Sequence, residues 1–234
     1  NHPLYNEEHT DDDYRFLQHR FSQVGYGARL ASNPESWLSF DASANYVAGG
    51  YNDGDMDLGG KVLIKPAGDS PGVAFFAHYA EKEAPLFFYH YRSNYISWFN
   101  EFEKSRTFRL GAGIMSDFLD LEGNYYLMNR AFFMNADAFP DQNEGSFAVY
   151  TASLTANIDF RAFRSRHKLI YQYTNEDNFE RFPSFASFHS FYADFQLFDN
   201  ALHLNTGFDV RYNAPYRPMA YMPVARQFYI QDDF

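Results

Sequence analysis

Ala148-Val149-Tyr150-Thr151-Ala152-Ser153-Leu154-Thr155-Ala156-Asn157-Ile158-Asp159-Phe160 splits at a period of two. One set of alternate positions reads Ala148, Tyr150, Ala152, Leu154, Ala156, Ile158, Phe160, and the other Val149, Thr151, Ser153, Thr155, Asn157, Asp159. Successive side chains on an extended strand point to opposite faces, so this segment predicts a strand with one apolar and one polar face. The split recurs from Leu202 to Tyr212, where Leu202, Leu204, Thr206, Phe208, Val210 and Tyr212 oppose His203, Asn205, Gly207, Asp209 and Arg211. Leu38, Phe40, Ala42, Ala44 and Tyr46 oppose Ser39, Asp41, Ser43 and Asn45, and Phe108, Leu110, Ala112 and Ile114 oppose Arg109, Gly111, Gly113 and Asp117.

Weaker versions run through 15–32, 56–66, 72–82, 86–99, 124–135, 165–174, 186–198 and 219–231, which predicts about twelve strands in all. Turn chemistry falls between them at Ser32-Asn33-Pro34, Gly68-Asp69-Ser70-Pro71-Gly72, Glu122-Gly123-Asn124 and Asp199-Asn200. There is no long amphipathic helix and no linker, so residues 1–234 read as one domain, with 1–13 an acidic terminal segment or loop. One check fails: the short connections near 32–36 and 66–72 fall on the opposite parity to those near 119–124, 161–165 and 199–200. Up-and-down barrels keep short turns on one side, so a strand is miscounted, with the aromatic stretch 84–105 the suspect.

Composition narrows the class. The chain has 234 residues, 19 Lys plus Arg against 30 Asp plus Glu, and 27 Phe, 19 Tyr and 2 Trp. So much aromatic surface argues against disorder, because its burial offsets the entropy of ordering. No run approaches the roughly 20 apolar residues of a spanning helix. The absence of cysteine excludes disulfides and thiolate chemistry, and the acidic balance argues against nucleic acid as a partner. The chain opens at Asn1 without a charged or apolar leader, so any signal peptide is read as removed or outside the sequence.

Serial amphipathic strands fit either a soluble sandwich or barrel with apolar faces inward, or an outer-membrane barrel with those faces toward lipid. Strand length favours the second, since tilted spanning strands need about 9–11 residues and globular ones cluster near 5–6. Charge at mid-strand on the polar faces fits a wet lumen. Tyr and Trp near strand ends, among them Tyr46, Tyr89, Tyr91, Tyr95, Trp98, Tyr125, Tyr126, Tyr171, Tyr173, Tyr212 and Tyr216, fit headgroup-level girdles. The predicted fold is an all-β antiparallel transmembrane β-barrel, with the chain part of a larger one.

Other motifs carry little chemistry. The run 52–59 puts acidic residues at alternate positions like a calcium loop, but an EF-hand starting at Asp53 needs Gly and Glu where Leu58 and Ile64 stand. Arg161, Arg164, Arg166, His167 and Lys168 read first as a hairpin tip, and alternatively as cations facing Asp159 and Asp209 across a lumen. Ser187, His189, His203 and Asn205 on neighbouring strands form a weak hydrolase constellation, and Glu81, Glu83, Glu101 and Glu103 read as loop and rim charges. The expectation is no enzyme, no catalytic residue, no metal and no cofactor.

Leu204-Asn205-Thr206-Gly207-Phe208-Asp209-Val210-Arg211-Tyr212, then Tyr216, Met219-Ala220-Tyr221-Met222-Pro223 and Gln227-Phe228-Tyr229-Ile230-Gln231, resemble the putative porin family of Bacteroidota outer membranes. The resemblance implies an outer-membrane barrel passing small hydrophilic solutes by diffusion, with no catalytic residues to transfer. Members look longer than this chain, and the terminal Phe234 reads as accidental rather than as an assembly signal. Asp41, Arg109, Asn157, Asp159, Asp194, His203, Asn205, Asp209 and Arg211 are the candidate pore-lining residues. A net acidic lumen would favour cations. Expected partners are outer-membrane lipid, small hydrophilic solutes and other outer-membrane proteins; the alternative function is a non-conducting barrel that scaffolds a larger outer-membrane complex.

Overall fold

A computed structural model describes residues 22–66, 70–199 and 201–231. The predicted acidic segment 1–13, the first part of the strand predicted at 15–32, Gly68 and Asp69 of one turn, Asn200 of another and Phe234 lie outside the described residues. The chain is all-β. Its strands are β1 (Val24–Ala31), β2 (Leu38–Ala48), β3 (Met56–Ile64) and β4 (Gly72–Lys82), then β5 (His90–Arg92), β6 (Ser97–Phe99), β7 (Ser105–Met115) and β8 (Leu119–Asn129). They continue as β9 (Phe132–Met134), β10 (Pro140–Gln142), β11 (Ser146–Phe160), β12 (Phe163–Thr174), β13 (Phe185–Leu197), β14 (Leu202–Asn213), β15 (Ala220–Met222) and β16 (Gln227–Tyr229). A single helical turn, α1 (Leu86–Tyr89), precedes β5.

Ten long strands form one antiparallel sheet in the order β1-β2-β3-β4-β7-β8-β11-β12-β13-β14, a meander in which each strand pairs with its neighbour in the chain. The six short strands pair off as three separate hairpins. The antiparallel β architecture agrees with the sequence pattern, but closure into a barrel does not appear. Strands β1 and β14 are the sheet's two free edges among the described residues, and both are exposed along their whole length.

Register explains why the alternation was so regular. Directly opposed residues share a face, so pairings such as Phe40↔Val62, Val62↔Phe75, Leu110↔Tyr125 and Tyr125↔Tyr150 carry one apolar surface across the sheet. That surface is the exposed one: Phe75 is 50%, Leu110 46% and Phe208 63% accessible. Along β7 exposed Phe108, Leu110, Ala112 and Ile114 alternate with shielded Arg109, Gly111 and Gly113, whereas on the edge strands β1 and β14 both faces are exposed. A water-soluble sheet protein hides its apolar face; this sheet inverts the rule.

Two aromatic bands edge the outward surface. Tyr26, Tyr46, Tyr125, Tyr150, Tyr173 and Tyr212 lie toward one rim, with Tyr26 paired to Tyr46 and Tyr125, Tyr150 and Tyr173 in one cross-strand row. Trp37, Phe118, Phe160, Phe163 and Phe198 edge the other and are 61–77% exposed. Tyr126 instead faces inward, opposite Arg109.

The connections sort by rim. Those at 32–37, 65–71, 116–118, 161–162 and 198–201 lie on one side, and those at 49–55, 83–104, 130–145 and 175–184 on the other. This removes the parity conflict. Residues 86–99 are no sheet strand but the turn α1 and the hairpin β5–β6, and 219–231 likewise forms only β15–β16, so ten strands cross the sheet rather than twelve. Glu122-Gly123-Asn124 sits in mid-strand in β8, and the turn is Ser116-Asp117-Phe118.

The compact apolar cluster lies above the sheet. Buried Trp98, Met134 and Ala225 pack with Phe87, Phe88, Tyr91, Ile96, Phe139, Met222 and Tyr229, so Tyr91 and Trp98 belong to this cap and not to a girdle. Indole Nε1 of Trp98 donates to Phe87 O at 2.8 Å, Tyr91 Oη to Val224 O at 3.1 Å, and Ile230 N to Met134 O at 3.0 Å. The first bond lies within 83–104, and the other two tie 83–104 and 130–145 to the segment after β14. No helix among the described residues is long and apolar enough to cross a membrane.

Candidate functional site

The polar face of the sheet carries a set of charged and amide side chains, and all nine candidate residues lie on it. Strand parity puts them there: each occupies a position opposite to the apolar set of its own strand. They group into three sectors. In the first, Asp41 on β2 takes a hydrogen bond from Arg29 Nε on β1 at 3.0 Å and stands opposite Lys61 on β3. Beyond it, Asp57 on β3 lies 3.2 Å from His78 Nε2 and 3.3 Å from Lys82 Nζ on β4.

The second sector centres on Arg109. Its Nε donates to Asn124 Oδ1 at 2.8 Å and an Nη to Glu122 Oε1 at 3.0 Å, both from β8. The guanidinium lies 5.5 Å from the Phe76 ring centre and 5.6 Å from that of Tyr126. Two directional bonds and flanking rings fix the arginine in one pose. Gly111 leaves room for the amide acceptor, since a Cβ there would press on Asn124 Oδ1.

The third sector spans β11 to β14. Arg166 donates to Asp159 at 2.6 Å and stands opposite Asn157. Asp194 accepts from Asn205 Nδ2 at 3.3 Å and lies 2.9 Å from His203 Nε2 and 3.4 Å from Arg164 Nη1. Asp209 faces Ser190, and Arg211 lies 5.2 Å from the Phe188 ring centre. Sequence reasoning missed several partners. Glu122 stands in a segment read as a turn, while Arg164, Arg166 and Lys168 belong to the cluster read first as a hairpin tip, and its alternative reading, cations facing Asp159, matches the Arg166–Asp159 pair. The signal was there: Phe163, Ser165, His167, Leu169 and Tyr171 hold one parity, and the three cations hold the other.

The hydrolase constellation does not assemble. Ser187 and His189 lie on the outward face and His203 and Asn205 on the inward one. No group of three or more His, Asp or Glu able to hold a metal occurs among the described residues. His189 is instead paired across strands with His167, Nδ1 to Nδ1 at 2.8 Å, a contact in which one ring donates and the other accepts. With Ser165 and Ser187 it makes a polar break at mid-depth in the outward apolar surface.

At the long-loop rim the charges tie loops together. Asp55, 5% exposed, accepts from Lys104 Nζ at 2.8 Å and from Glu83 N at 2.8 Å. Tyr51 donates to Ala84 O at 2.7 Å, and burial, reinforced by the carboxylate of Glu83, pushes its hydroxyl up to about 12. Glu103 pairs with Arg130, and Glu81 with Arg106 at 3.0 Å.

The sheet thus exposes one apolar face and gathers its charges on the other. A family model described as a putative porin matches residues 3–234. The chain belongs to the putative porin family. No curated protein and no solved structure matches it. Family membership supports a porin-like role and an all-β fold together, and it points to work that does not involve catalysis.

Proposed function

We propose that this putative porin forms the wall of an outer-membrane β-barrel through which small hydrophilic solutes diffuse passively. The observation that carries the reading is the inverted alternation: large apolar side chains on ten successive strands are exposed, and the face between them holds paired charges. Water outside such a surface would contact a wide apolar area at high cost, whereas lipid would not. Strands of eight to fifteen residues suit a tilted crossing of the hydrocarbon, and the Tyr and Phe/Trp bands suit its two boundaries. In a bilayer the free edges β1 and β14 must find partners, because each unpaired backbone group in hydrocarbon costs several kcal/mol. Closure into a barrel meets that demand. Asp41, Arg109, Asn157, Asp159, Asp194, His203, Asn205, Asp209 and Arg211 then line the lumen, and lipid and small solutes are the partners.

Single-channel recording of the purified full-length protein in a planar bilayer tests this. Stable ohmic steps support the pore. A folded, inserted but silent protein sinks it and favours a non-conducting scaffold.

A further inference from the structure

The bulk charge of the chain misleads about the charge of its inward face. Nineteen Lys and Arg stand against thirty Asp and Glu in the whole sequence. On the polar face of the ten-stranded sheet the count differs sector by sector. Strands β1 to β4 place Arg29, Lys61 and Lys82 against Asp41 and Asp57. Strands β7 and β8 place Arg109 against Asp120 and Glu122. Strands β11 to β14 place Arg164, Arg166, Lys168 and Arg211 against Asp159, Asp194 and Asp209. Among the described residues cations therefore outnumber carboxylates on this face by one, and the histidines on it, His78 and His203, can add only positive charge.

Pairing sharpens the asymmetry. Asp41, Asp57, Glu122, Asp159 and Asp194 are each within 4 Å of an arginine or lysine. Among the described residues Lys61, Lys168 and Arg211 have no carboxylate within that distance, and on the acidic side the same holds for Asp120 and Asp209. Two of the three cations share one row: Lys168 on β12 and Arg211 on β14 both stand directly opposite Phe188 on β13. Two strand spacings separate them, roughly 10 Å. An ammonium and a guanidinium flanking an aromatic ring offer a passing anion two positive charges at one depth, against the single carboxylate of Asp209 two residues from Arg211 on the same face.

We infer that the lumen prefers small anions to small cations, with Lys168 and Arg211 as its specificity-determining pair. This rests on the pore reading and reverses the cation preference expected from the acidic composition. In a confined aqueous path an unbalanced wall charge shifts the local potential by an amount comparable to thermal energy or above it, so a permeability ratio of about threefold is expected.

The test is the reversal potential of the full-length protein in a planar bilayer under a KCl gradient. The expected result is a chloride-over-potassium permeability ratio above one. It falls to one or below in the Lys168→Gln/Arg211→Gln double variant, folding being checked by heat-modifiable gel mobility and β-rich circular dichroism. Should that double variant not fold, inorganic phosphate added to the parent protein supplies the second readout: it is expected to reduce the chloride current, and no reduction would overturn the pair's role. Ohmic steps with potassium preference overturn the inference alone. An anion preference unchanged in the folded double variant overturns the assignment to this pair. A silent inserted protein overturns the pore reading itself, so the two failures are separable.

Discussion

Leu154 and Ser153 sit side by side near the centre of β11, the longest strand, and they face opposite ways. Leu154 stands opposite Leu121 and Leu169 on the outward surface, and Ser153 opposite Glu122 and Ile170 on the inward one. Arginine introduced at each position makes a paired experiment. In a bilayer an arginine at the midplane of the lipid-facing surface costs about 2–4 kcal/mol, or roughly 30- to 800-fold in the folding equilibrium. At Ser153 the same guanidinium enters a polar face next to the carboxylate of Glu122, and the expected change is within about 0.5 kcal/mol, as for substitutions at hydrated positions. The assay is reversible denaturant unfolding of protein folded into phospholipid vesicles, followed by Trp98 and Trp37 fluorescence. Leu154→Arg should lower the midpoint strongly and Ser153→Arg hardly at all. Equal costs, or the larger cost at Ser153, would refute the assignment of faces, and with it the membrane reading of the sheet.

Other outcomes follow from particular contacts. His189→Phe strands the His167 ring on the outward surface without its 2.8 Å partner and should cost about 1–2 kcal/mol in vesicles, whereas His167→Phe/His189→Phe should recover most of that; equal costs for both would count against the pairing. A Cβ on Gly207 would press on Phe191 O and stand 2.8 Å from Tyr192 Cα, so Gly207→Val should loosen β14 from β13 by about 1–3 kcal/mol, while Gly123→Val, with nothing within 4 Å, should be tolerated; hydrogen exchange of β14 amides reads the difference. Lys104→Met leaves the buried Asp55 carboxylate without its cation and should open 49–55 and 83–104 to protease, an effect absent if the pair is only decorative. Tyr51 has a folded-state value raised to about 12 from 10, so its contribution to loop docking is complete below pH 10 and is lost as pH rises through 12; ultraviolet titration should show one tyrosine ionising last, and Tyr51→Phe should remove that step.

The faces of the sheet were legible in the sequence because period-two alternation reports nothing else. Ala148 to Phe160 and Leu202 to Tyr212 give their two faces directly, and the face on which all nine candidate residues lie followed from parity alone. Alternation failed where aromatics crowd both parities. In 86–99 and 219–231 such residues pack among themselves in the cap around Trp98 and Met134, and a local pattern cannot tell that burial from exposure on a lipid-facing strand. It failed again at Glu122-Gly123-Asn124, where turn-forming residue types serve a strand. Glu122 and Asn124 both reach Arg109, and Gly123 lies on the outward face with open space around it. Which carboxylate meets which cation was not legible, because Arg29 with Asp41 and Arg164 with Asp194 depend on stagger between strands rather than on order along one.

The unequal rims give insertion a direction. A hairpin driven into hydrocarbon must carry its connecting residues through, and the backbone groups of that connection lose their water on the way. Turns such as Arg161-Ala162 and Ser116-Asp117-Phe118 expose few such groups, and bulky rings at Phe118, Phe160 and Phe163 cover their flanks. At the opposite rim, 83–104 and 130–145 are long, charged and knitted into one body by Trp98, Met134 and the Asp55–Lys104 pair. Outer-membrane barrels keep short turns on the periplasmic side and long loops outside, so in the proposed barrel the knitted rim is the one that crosses, and its dehydration is the larger cost of placing the wall.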